Sequence, residues 1–404
     1  MSGILHFGPG NFFRAHLADY TQDAGGWGIT AVSLRSPSVR DGLASQANRY
    51  ILAAHGKDNK VVDVIEHIYV ASEDRQRVLD LVADARFSII SATVTEKGYH
   101  LTPDGNLNVD DPDIKHDLAL GLPRTFIGFL ALGLAQRNAP VTVLSCDNRL
   151  GNGDALAKAV SDFQALSGLR SSCEVSFPNA MVDRITPATT DTLRLETGDQ
   201  MAVSCEPFKE WVIEDRFVSA HPDWPGVKWV DDVAPHEKRK IRMLNGAHSY
   251  LAYAGILSGH TYVHEAIGDA TLRQTTRALM KEAAMTLPAD VSSIADTYAI
   301  SLVSRFDNKH VNHKLRQIAM DGTEKVPYRL LDSLRENLAA GRACPQLITA
   351  ISAWISFVRA EVKAGRAPED PRADALCSAA RSETPRASIL SVINASDLAL
   401  HFSE

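Results

Sequence analysis

The sequence predicts an α/β N-terminal domain followed by a mainly α-helical C-terminal domain. The chain has 404 residues, which exceeds the size that one hydrophobic core usually serves. Short apolar runs alternate with helical segments in its first half, and helical periodicity with Gly or Pro breaks dominates from about residue 233. We therefore predict two domains, at residues 1–230 and 231–404.

The first half of the chain alternates strands with helices. Strands are predicted at Ile4–Phe7, Ile29–Leu34 and Phe87–Val94, and in YILAA, VVDVIEHIYV, PVTVLSCDN and CEVSF. Helices are predicted around Arg14–Gln22 and in DRQRVLDLVADA, TFIGFLALGLAQRN and GDALAKAVSDFQALSG. This alternation is typical of a mostly parallel sheet with helices on both faces.

Helices are predicted throughout the last third of the chain. The helical runs are EKRKIRMLNGAHSYLAYAGILSG, LRQTTRALMKEAAMTL, SSIADTYAISLVSRF, PYRLLDSLRENLAAG and CPQLITAISAWISFVRAEVKAG. The proline-rich stretch AHPDWPGVKWVDDVAPH, which lacks a helical pattern, precedes them and marks the expected domain boundary.

Composition excludes several classes of protein. The net charge of -7 argues against a general binder of nucleic acid or of anionic membranes. The five cysteines contain no CxxC pair, which indicates free thiols and no thiolate metal site. The start lacks signal-peptide features and no apolar run approaches about 20 residues, so we expect a cytoplasmic monomer or small homo-oligomer.

A glycine turn follows the first predicted strand in ILHFGPGNFFRAH. Gly8 and Gly10 stand where a Rossmann-like fold has its dinucleotide-binding turn, with the tight turn at the first and pyrophosphate approach at the second. Phe13 replaces the usual third glycine. The second strand ends in Arg35, where an acid usually holds the ribose. Arg35 and the nearby serines could accept the 2′-phosphate of NADP, or Arg35 could stack on the adenine or be solvated. NAD is the expected cofactor, with NADP as the alternative.

Lys240, Asn245 and His248 occupy one helix. At about 100° per residue they fall within an arc of about 140°, and Asn245 and His248 are i,i+3 neighbours. A desolvated lysine can act as general base, and amide or imidazole donors can hold a developing alkoxide. Gly246 costs about 1 kcal/mol relative to alanine, which close approach of another group would explain. The alternative is a solvated face or an interdomain hydrogen-bond cluster.

Several ordered motifs resemble those of the polyol-specific long-chain dehydrogenase/reductase family, which includes mannitol 2-dehydrogenases and fructuronate (mannonate) reductases. The similar stretches are Lys240-x4-Asn245-x2-His248, GPGNFFRAH, TVTEKGY, SCDN with the following NG, FPNAMVDRITP, RFDN and IAMDGTEKVP. The resemblance spans residues 4 to about 330. It implies an NAD(P)-dependent, metal-independent oxidoreductase that interconverts a secondary alcohol and a ketone on a sugar acid or a polyol.

The resemblance also implies roles for individual residues. It makes Lys240 the acid/base, Asn245 and Asn148 the ligands of the reacting oxygen, and His248 the group that orients substrate hydroxyls. The remaining implied roles are Glu237 in the proton path, Arg305 and Asp183 at the substrate, and Gly8, Gly10, Phe12, Arg35 and Glu96 at the cofactor.

Alternatives accompany some of these assignments. Arg305 could form an interface salt bridge, Asp183 could pair with Arg184, and Glu96 could be structural. His260 and His264 have a spacing that suits zinc, although a chance helix face is the preferred interpretation.

The substrate branch stays open on the sequence alone. The chain is shorter than is usual for the family, with a reduced C-terminal part. Lys97 in TEKGY favours the fructuronate/mannonate type over mannitol or arabinitol dehydrogenases, by resemblance only.

Overall fold

The chain forms two compact units, one ending at Ala234 and the other beginning at Pro235, in a computed structural model that describes residues 3–120 and 122–402. The side chains of Glu96 and Leu120 lie outside the described part. The predicted fold class is confirmed: the first unit carries a parallel sheet with helices, and the second is helical. The division at residues 230 and 231 stays a prediction.

The described residues of the first unit form twelve strands in three sheets. They are β1 (Gly3–Phe7), β2 (Gly28–Ser33), β3 (Tyr50–Ala54), β4 (Lys60–Val62), β5 (Ile65–Val70), β6 (Phe87–Ala92), β7 (Val141–Ser145), β8 (Val175–Ser176), β9 (Ala180–Asp183), β10 (Val203–Cys205), β11 (Glu210–Glu214) and β12 (Lys228–Val230). The main sheet is wholly parallel, in the order β5-β2-β1-β6-β7-β8.

The order of the main sheet creates a switch point between β1 and β6. From β1 the chain adds strands towards β2 and β5, and later towards β7 and β8 on the other side. Counted within the sheet this is the order 3-2-1-4-5-6, and ligands of such sheets bind beyond the carboxyl ends of the strands at the switch point. All residues of β6 and β7 are buried, as expected for strands covered on both faces.

The smaller sheets account for one difference from the prediction. The run VVDVIEHIYV, predicted as a single strand, divides at Asp63 and Val64: β4 pairs antiparallel with β3, while β5 joins the main sheet. The second small sheet has the order β12-β11-β9.

Helices complete the first unit. They are Asn11–Ala15, Leu17–Ala24, Ser38–Ala44, Arg75–Ala83, Pro112–Leu120, Phe126–Gln136, Asn152–Ser167 and Asp191–Thr197, with a 3₁₀ turn at Glu96–Tyr99. The single helix predicted around Arg14–Gln22 is interrupted at His16, whose φ of -121° and ψ of -87° are not helical. The helix that follows the glycine turn is therefore only five residues long.

The second unit is built from helices, and none of its described residues belongs to a strand. The α-helices are Ala234–Arg239, Gly246–Leu257, Val263–Gly268, Ala270–Ala284, Ala289–Ser292, Ala295–Phe306, Leu315–Ala319, Gly322–Val326, Asp332–Ala339, Pro345–Lys363, Ala373–Ala380 and Pro385–Val392. Two π-helices, Lys240–Asn245 and Pro327–Leu331, and a 3₁₀ turn, Ser396–His401, complete it.

One continuous helix runs through the core of the second unit. It begins at Ala234, passes through the π-helical segment Lys240–Asn245 and ends at Leu257; we call it the lysine helix. All residues from Gly246 to Gly255 are buried, so this part is surrounded by other helices. Tyr253, for example, packs against Phe357 of Pro345–Lys363, with ring centroids 5.3 Å apart. Within the described residues, no helix combines the length and apolar character that crossing a membrane requires.

Candidate active site

Gly8 forms a tight turn immediately after β1. Its φ is +94°, and a Cβ at this position would lie 3.1 Å from Oγ1 of Thr93. Thr93 follows β6 and donates its hydroxyl hydrogen to the carbonyl oxygen of Gly8 over 2.6 Å. Because Thr93 and Gly8 follow the two central strands, the turn lies at the switch point of the sheet. Only glycine fits here without strain.

Gly10 has a different reason to lack a side chain. Its φ of -72° is accessible to any residue, and a Cβ there would meet nothing within 4 Å. The protein itself therefore leaves the space beside Gly10 open. Close approach of a ligand to the backbone explains a glycine at such a position.

An open pocket of about 490 Å³ lies over this turn. Its lining combines the glycine turn with the residues that follow β2, β6 and β7: Gly8, Pro9, Gly10, Asn11, Phe12, Ser33, Leu34, Ser36, Ser38, Val39, Thr93, Thr95, Cys146, Asp147 and Asn148. Three of the predicted cofactor residues, Gly8, Gly10 and Phe12, therefore lie together, and Asn148 lines the same pocket. Phe12 is half-buried and stacks on His16 with ring centroids 5.1 Å apart.

Two predicted cofactor residues stand apart from this group. Arg35 does not line the pocket, although Ser36 and Ser38, which follow it in the chain, do. Its exposed guanidinium pairs with the carboxylate of Asp113, 3.2 Å away. The side chain of Glu96 lies outside the described part of the chain, and its backbone begins the 3₁₀ turn Glu96–Tyr99. The role of each at the cofactor stays a prediction.

The residues of this pocket fit a dinucleotide. The glycine turn lies at the switch point, the space over Gly10 is open, and Phe12 and Asn148 flank it. The five-residue helix after the turn can contribute little dipole, so binding here relies on backbone approach and groove shape. These features suit an NAD-type cofactor.

The lysine helix changes its winding at the residues predicted to be catalytic. Lys240–Asn245 is a π-helix, in which the N–H of residue i+5 bonds to the carbonyl of residue i. Lys240 and Asn245 are five apart and therefore lie one π turn apart on the same side. The predicted α geometry separated them by about 140°, so the π segment aligns them more closely. Lys240 and Glu237 are buried, and Asn245 is half-buried.

Gly246 marks the return from π to α geometry. A Cβ on Gly246 would lie 3.1 Å from the carbonyl oxygen of Arg329, which belongs to the second π-helix, Pro327–Leu331. The close approach that the sequence indicated is therefore a backbone carbonyl. The two π segments pack against each other at this point, which fixes the position of Asn245 beside it.

His248 is a neutral imidazole inside the second unit. Burial is the main reason that its pKa lies well below the ordinary value, and electrostatic interactions with His313, Arg305 and Arg329 lower the pKa further. Its Nε2 is buried and has no hydrogen-bond partner among the described residues. The ring lies 4.6 Å from that of Phe306 and 5.5 Å from that of His313. His248 can therefore donate or accept a hydrogen bond at neutral pH without carrying charge.

The other predicted substrate residues are buried. Arg305 lies near the end of Ala295–Phe306, and its charge acts on His248. Asp183 ends β9; its neighbour Arg184 pairs with Asp19 at 2.6 Å.

Nothing in the described residues forms a metal site: no group of three or more His, Cys, Asp or Glu side chains could hold an ion there. Of the two histidines considered for zinc, His264 stacks on Tyr262, and its neighbour Glu265 accepts hydrogen bonds from the backbone N–H groups of Thr261 and Tyr262. Glu265 therefore caps a helix.

Sequence reasoning missed three residues, one beside the glycine turn and two beside His248. His6 hydrogen-bonds to the Ser91 hydroxyl and contacts the Thr93 hydroxyl and the Gly8 carbonyl oxygen. These contacts stabilise the glycine turn. His313 and Arg329 surround His248. The signal for Arg329 was weak because a cation in an amphipathic run such as PYRLLDSLRENL is usually solvated.

A pocket that fits a dinucleotide and a helix that carries Lys240, Asn245 and His248 are typical of a dinucleotide-dependent dehydrogenase. Comparison with known proteins agrees with this class. Residues 2–226 match the mannitol dehydrogenase Rossmann domain, and residues 232–399 match the mannitol dehydrogenase C-terminal domain. The chain therefore belongs to the mannitol dehydrogenase family, and it is a secondary-alcohol dehydrogenase.

Individual relatives of known sequence or structure span most of the chain. It is 36% identical to D-mannonate oxidoreductase of Escherichia coli (strain K12), over 91% of this chain and 82% of that protein. It is 34% identical to mannitol 2-dehydrogenase of Pyrenophora tritici-repentis (strain Pt-1C-BFP), over 93% and 72%. The structure of Pseudomonas fluorescens mannitol 2-dehydrogenase in ternary complex with NAD and D-mannitol matches with a TM-score of 0.81 and 33% identity, over 99% and 87%.

Proposed function

We propose that the protein interconverts a ketone and a secondary alcohol on a sugar acid, of the fructuronate/mannonate type, with NAD(H) as cofactor. The observation that carries this choice is the location of Arg329, whose carbonyl oxygen lies against Gly246 and whose guanidinium donates a hydrogen bond to Ser249 over 3.2 Å, so that its charge acts on His248 between them. Such surroundings suit an anionic substrate better than a neutral polyol. In this proposal the predicted domain of residues 1–230 binds the dinucleotide, and the predicted domain of residues 231–404 carries the acid/base.

Lys240 handles the proton in this mechanism. In the oxidative direction its free amine takes the hydroxyl proton of the substrate, while Asn148 and Asn245 donate amide hydrogens to the oxygen as negative charge grows. His248 orients a neighbouring hydroxyl, Glu237 passes the proton to solvent, and Arg305 and Asp183 hold the rest of the substrate. Bound NAD supplies the hydride acceptor, at C4 of its nicotinamide. In reduction the protonated Lys240 returns the proton to the oxygen.

The chain would hold the cofactor through the pocket over the glycine turn. Gly8 shapes the turn, Gly10 admits the pyrophosphate, and Phe12 flanks it. Arg35 would act at the adenosine end, where its pairing with Asp113 reduces the charge available to a 2′-phosphate. This favours NAD over NADP.

The alternative is a dehydrogenase of neutral polyols, such as a mannitol or arabinitol dehydrogenase. The 34% identity to a mannitol 2-dehydrogenase, close to the 36% for the mannonate enzyme, supports it.

Initial rates separate these functions. Fructuronate, tagaturonate, fructose and xylulose are reduced with NADH and with NADPH, and mannonate, mannitol and arabinitol are oxidised with NAD. We expect the highest kcat/KM for fructuronate with NADH. A clear preference for fructose would establish the polyol alternative instead.

Lys240→Ala tests the acid/base. We expect a fall in kcat of at least about 100-fold, because general acid–base catalysis contributes about 10²–10⁴. NADH binding, followed by fluorescence, should stay unchanged. The matched control is Lys238→Ala, which removes a half-buried lysine two residues away whose partner Glu336 keeps its bonds to Arg242. Near-normal turnover of Lys240→Ala would refute the assigned role.

A further inference from the structure

Arg329 has no anionic partner among the residues that the structure describes. Its guanidinium makes one hydrogen bond, from Nη1 to the hydroxyl oxygen of Ser249 over 3.2 Å, and its Nε is buried with no acceptor among the described residues. None of the ion pairs in the described parts of the chain involves it. By contrast, Arg242 on the lysine helix bonds to both carboxylate oxygens of Glu336, at 2.7 and 2.6 Å.

The backbone of Arg329 is held firmly against the lysine helix. Its carbonyl oxygen occupies the space that a side chain at Gly246 would need, and its side chain reaches Ser249 less than one turn further along. Asn245 and His248 are the immediate neighbours of these two contact points in the chain. The guanidinium is therefore anchored to the part of the lysine helix that carries two proposed substrate residues.

Two nearby histidines, His248 and His313, have ring nitrogens that can donate or accept a further hydrogen bond. Nε2 of His248 and Nδ1 of His313 are buried without partners among the described residues, like Nε of Arg329. A partly desolvated cation without a counter-charge is unfavourable, and a bound anion removes that cost. A planar guanidinium with free donors matches a carboxylate in geometry as well as in charge.

We infer that Arg329 binds the carboxylate of the substrate and so selects sugar acids over neutral sugars. This inference rests on the proposed function, which it deepens by naming the residue that recognises the acid group. His313, whose ring lies 5.5 Å from that of His248, supplies a neutral donor or acceptor beside it.

The test compares two substrates that differ at the acid group. Fructuronate and fructose share the reacting ketone, and only fructuronate carries a carboxylate. For Arg329→Met we expect kcat/KM for fructuronate to fall about 10- to 100-fold, the range for a lost hydrogen bond to a charged group, mainly through KM. The value for fructose should change less than about threefold. Arg329→Lys keeps the charge but not the planar fork, so we expect it to recover part of the preference.

The control is Arg335→Met, which removes an arginine of the same unit that is paired with Asp397 at the surface. It should leave the ratio of the two kcat/KM values unchanged. Thermal midpoints of all variants report on folding, and Arg329→Lys, which keeps the Ser249 contact within reach, serves if Arg329→Met does not fold.

The outcomes separate this inference from the proposed function. If the unmodified enzyme prefers fructose, the proposed function fails. If it prefers fructuronate and Arg329→Met loses activity equally on both sugars, the proposed function stands and Arg329 is only structural. If the unmodified enzyme prefers fructose 6-phosphate and Arg329→Met loses that preference, the anion is a phosphate and the carboxylate assignment is wrong.

Discussion

Gly8 and Gly10 are two residues apart, but alanine should impair stability at Gly8 and cofactor binding at Gly10. At Gly8 the positive φ and the nearby Thr93 hydroxyl should make Gly8→Ala destabilising by about 1–3 kcal/mol. At Gly10 nothing in the protein meets a Cβ, so Gly10→Ala should keep its unfolding midpoint. The added methyl group should nevertheless raise the Kd for NADH, because it occupies the space over the turn.

Denaturant unfolding and NADH fluorescence titration measure the two effects on the same samples. Each glycine serves as the control for the other. Unchanged NADH affinity in Gly10→Ala would place the cofactor elsewhere.

At the residue scale, the sequence identified residues that break a local rule. Gly246 in a helix interior and Gly8 after a strand were recognisable because each lacks a side chain where one is normally favoured. The importance of His6 and Arg329 could not be predicted. Their contacts join segments 85 and 80 residues apart in the chain, to Ser91 and Ser249, and no local pattern encodes such distances.

At the scale of elements, the contact between the two π-helices should dominate the response to a substitution at residue 246. Alanine gains about 1 kcal/mol of helix propensity over glycine. We expect Gly246→Ala to be destabilising all the same, by about 1–3 kcal/mol, because the Arg329 carbonyl is backbone and cannot rotate away. Gly268 ends another helix of this unit, and a Cβ there would meet nothing within 4 Å.

Gly268→Ala is therefore the matched control, and we expect it to be neutral or slightly stabilising. Urea unfolding of both variants measures the difference. A stabilised Gly246→Ala would show that the two π segments can move apart without loss.

Elements with a strong period were predictable, and elements that depend on partners were not. The central strands and the long helix Pro345–Lys363 follow from apolar runs and helical spacing. The π winding of Lys240–Asn245 leaves no mark in hydrophobic periodicity, because it depends on a backbone bond pattern and on the packing of Pro327–Leu331. The break at Asp63 and Val64 was also hidden, since β4 and β5 join different sheets.

At the scale of the whole molecule, buried histidines should make stability depend on pH. Burial lowers the pKa of His6 and of His16 to about 3, against an ordinary value of 6.5. Both rings are neutral in the folded protein, whereas the unfolded chain binds protons below pH 6.5. Stability is therefore fully present above pH 6.5 and is lost as the pH falls from 6.5 towards 3.

Each of these histidines should contribute a slope of about 1.4 kcal/mol per pH unit within that window. His248, whose pKa is lowered in the second unit, acts in the same direction. Urea unfolding between pH 7.5 and 5 measures the slope. His67→Gln, at an exposed ring, should leave the slope unchanged, and His16→Gln should reduce it. A constant unfolding free energy over this range would contradict the neutral state of these rings.

The division into an α/β half and a helical half was the most predictable property of the molecule, because it depends on averages over many residues. The sheet order and the location of the glycine turn at the switch point needed the structure, since strand neighbours are set by packing between segments far apart in the chain.

The π segment also sets the phase of the lysine helix. Relative to an α-helix, a π turn contains an extra residue, which is usually a loss of regularity. Deleting one residue between Lys240 and Asn245 would allow uninterrupted α-helical hydrogen bonds from Ala234 to Leu257. The same deletion would leave Lys240 and Asn245 four residues apart, about 40° around an α-helix, so both would stay on one side. With all its residues retained, an α-helical segment would instead separate them by about 140°, so the π turn is what brings two residues at a spacing of five to the side that His248 shares.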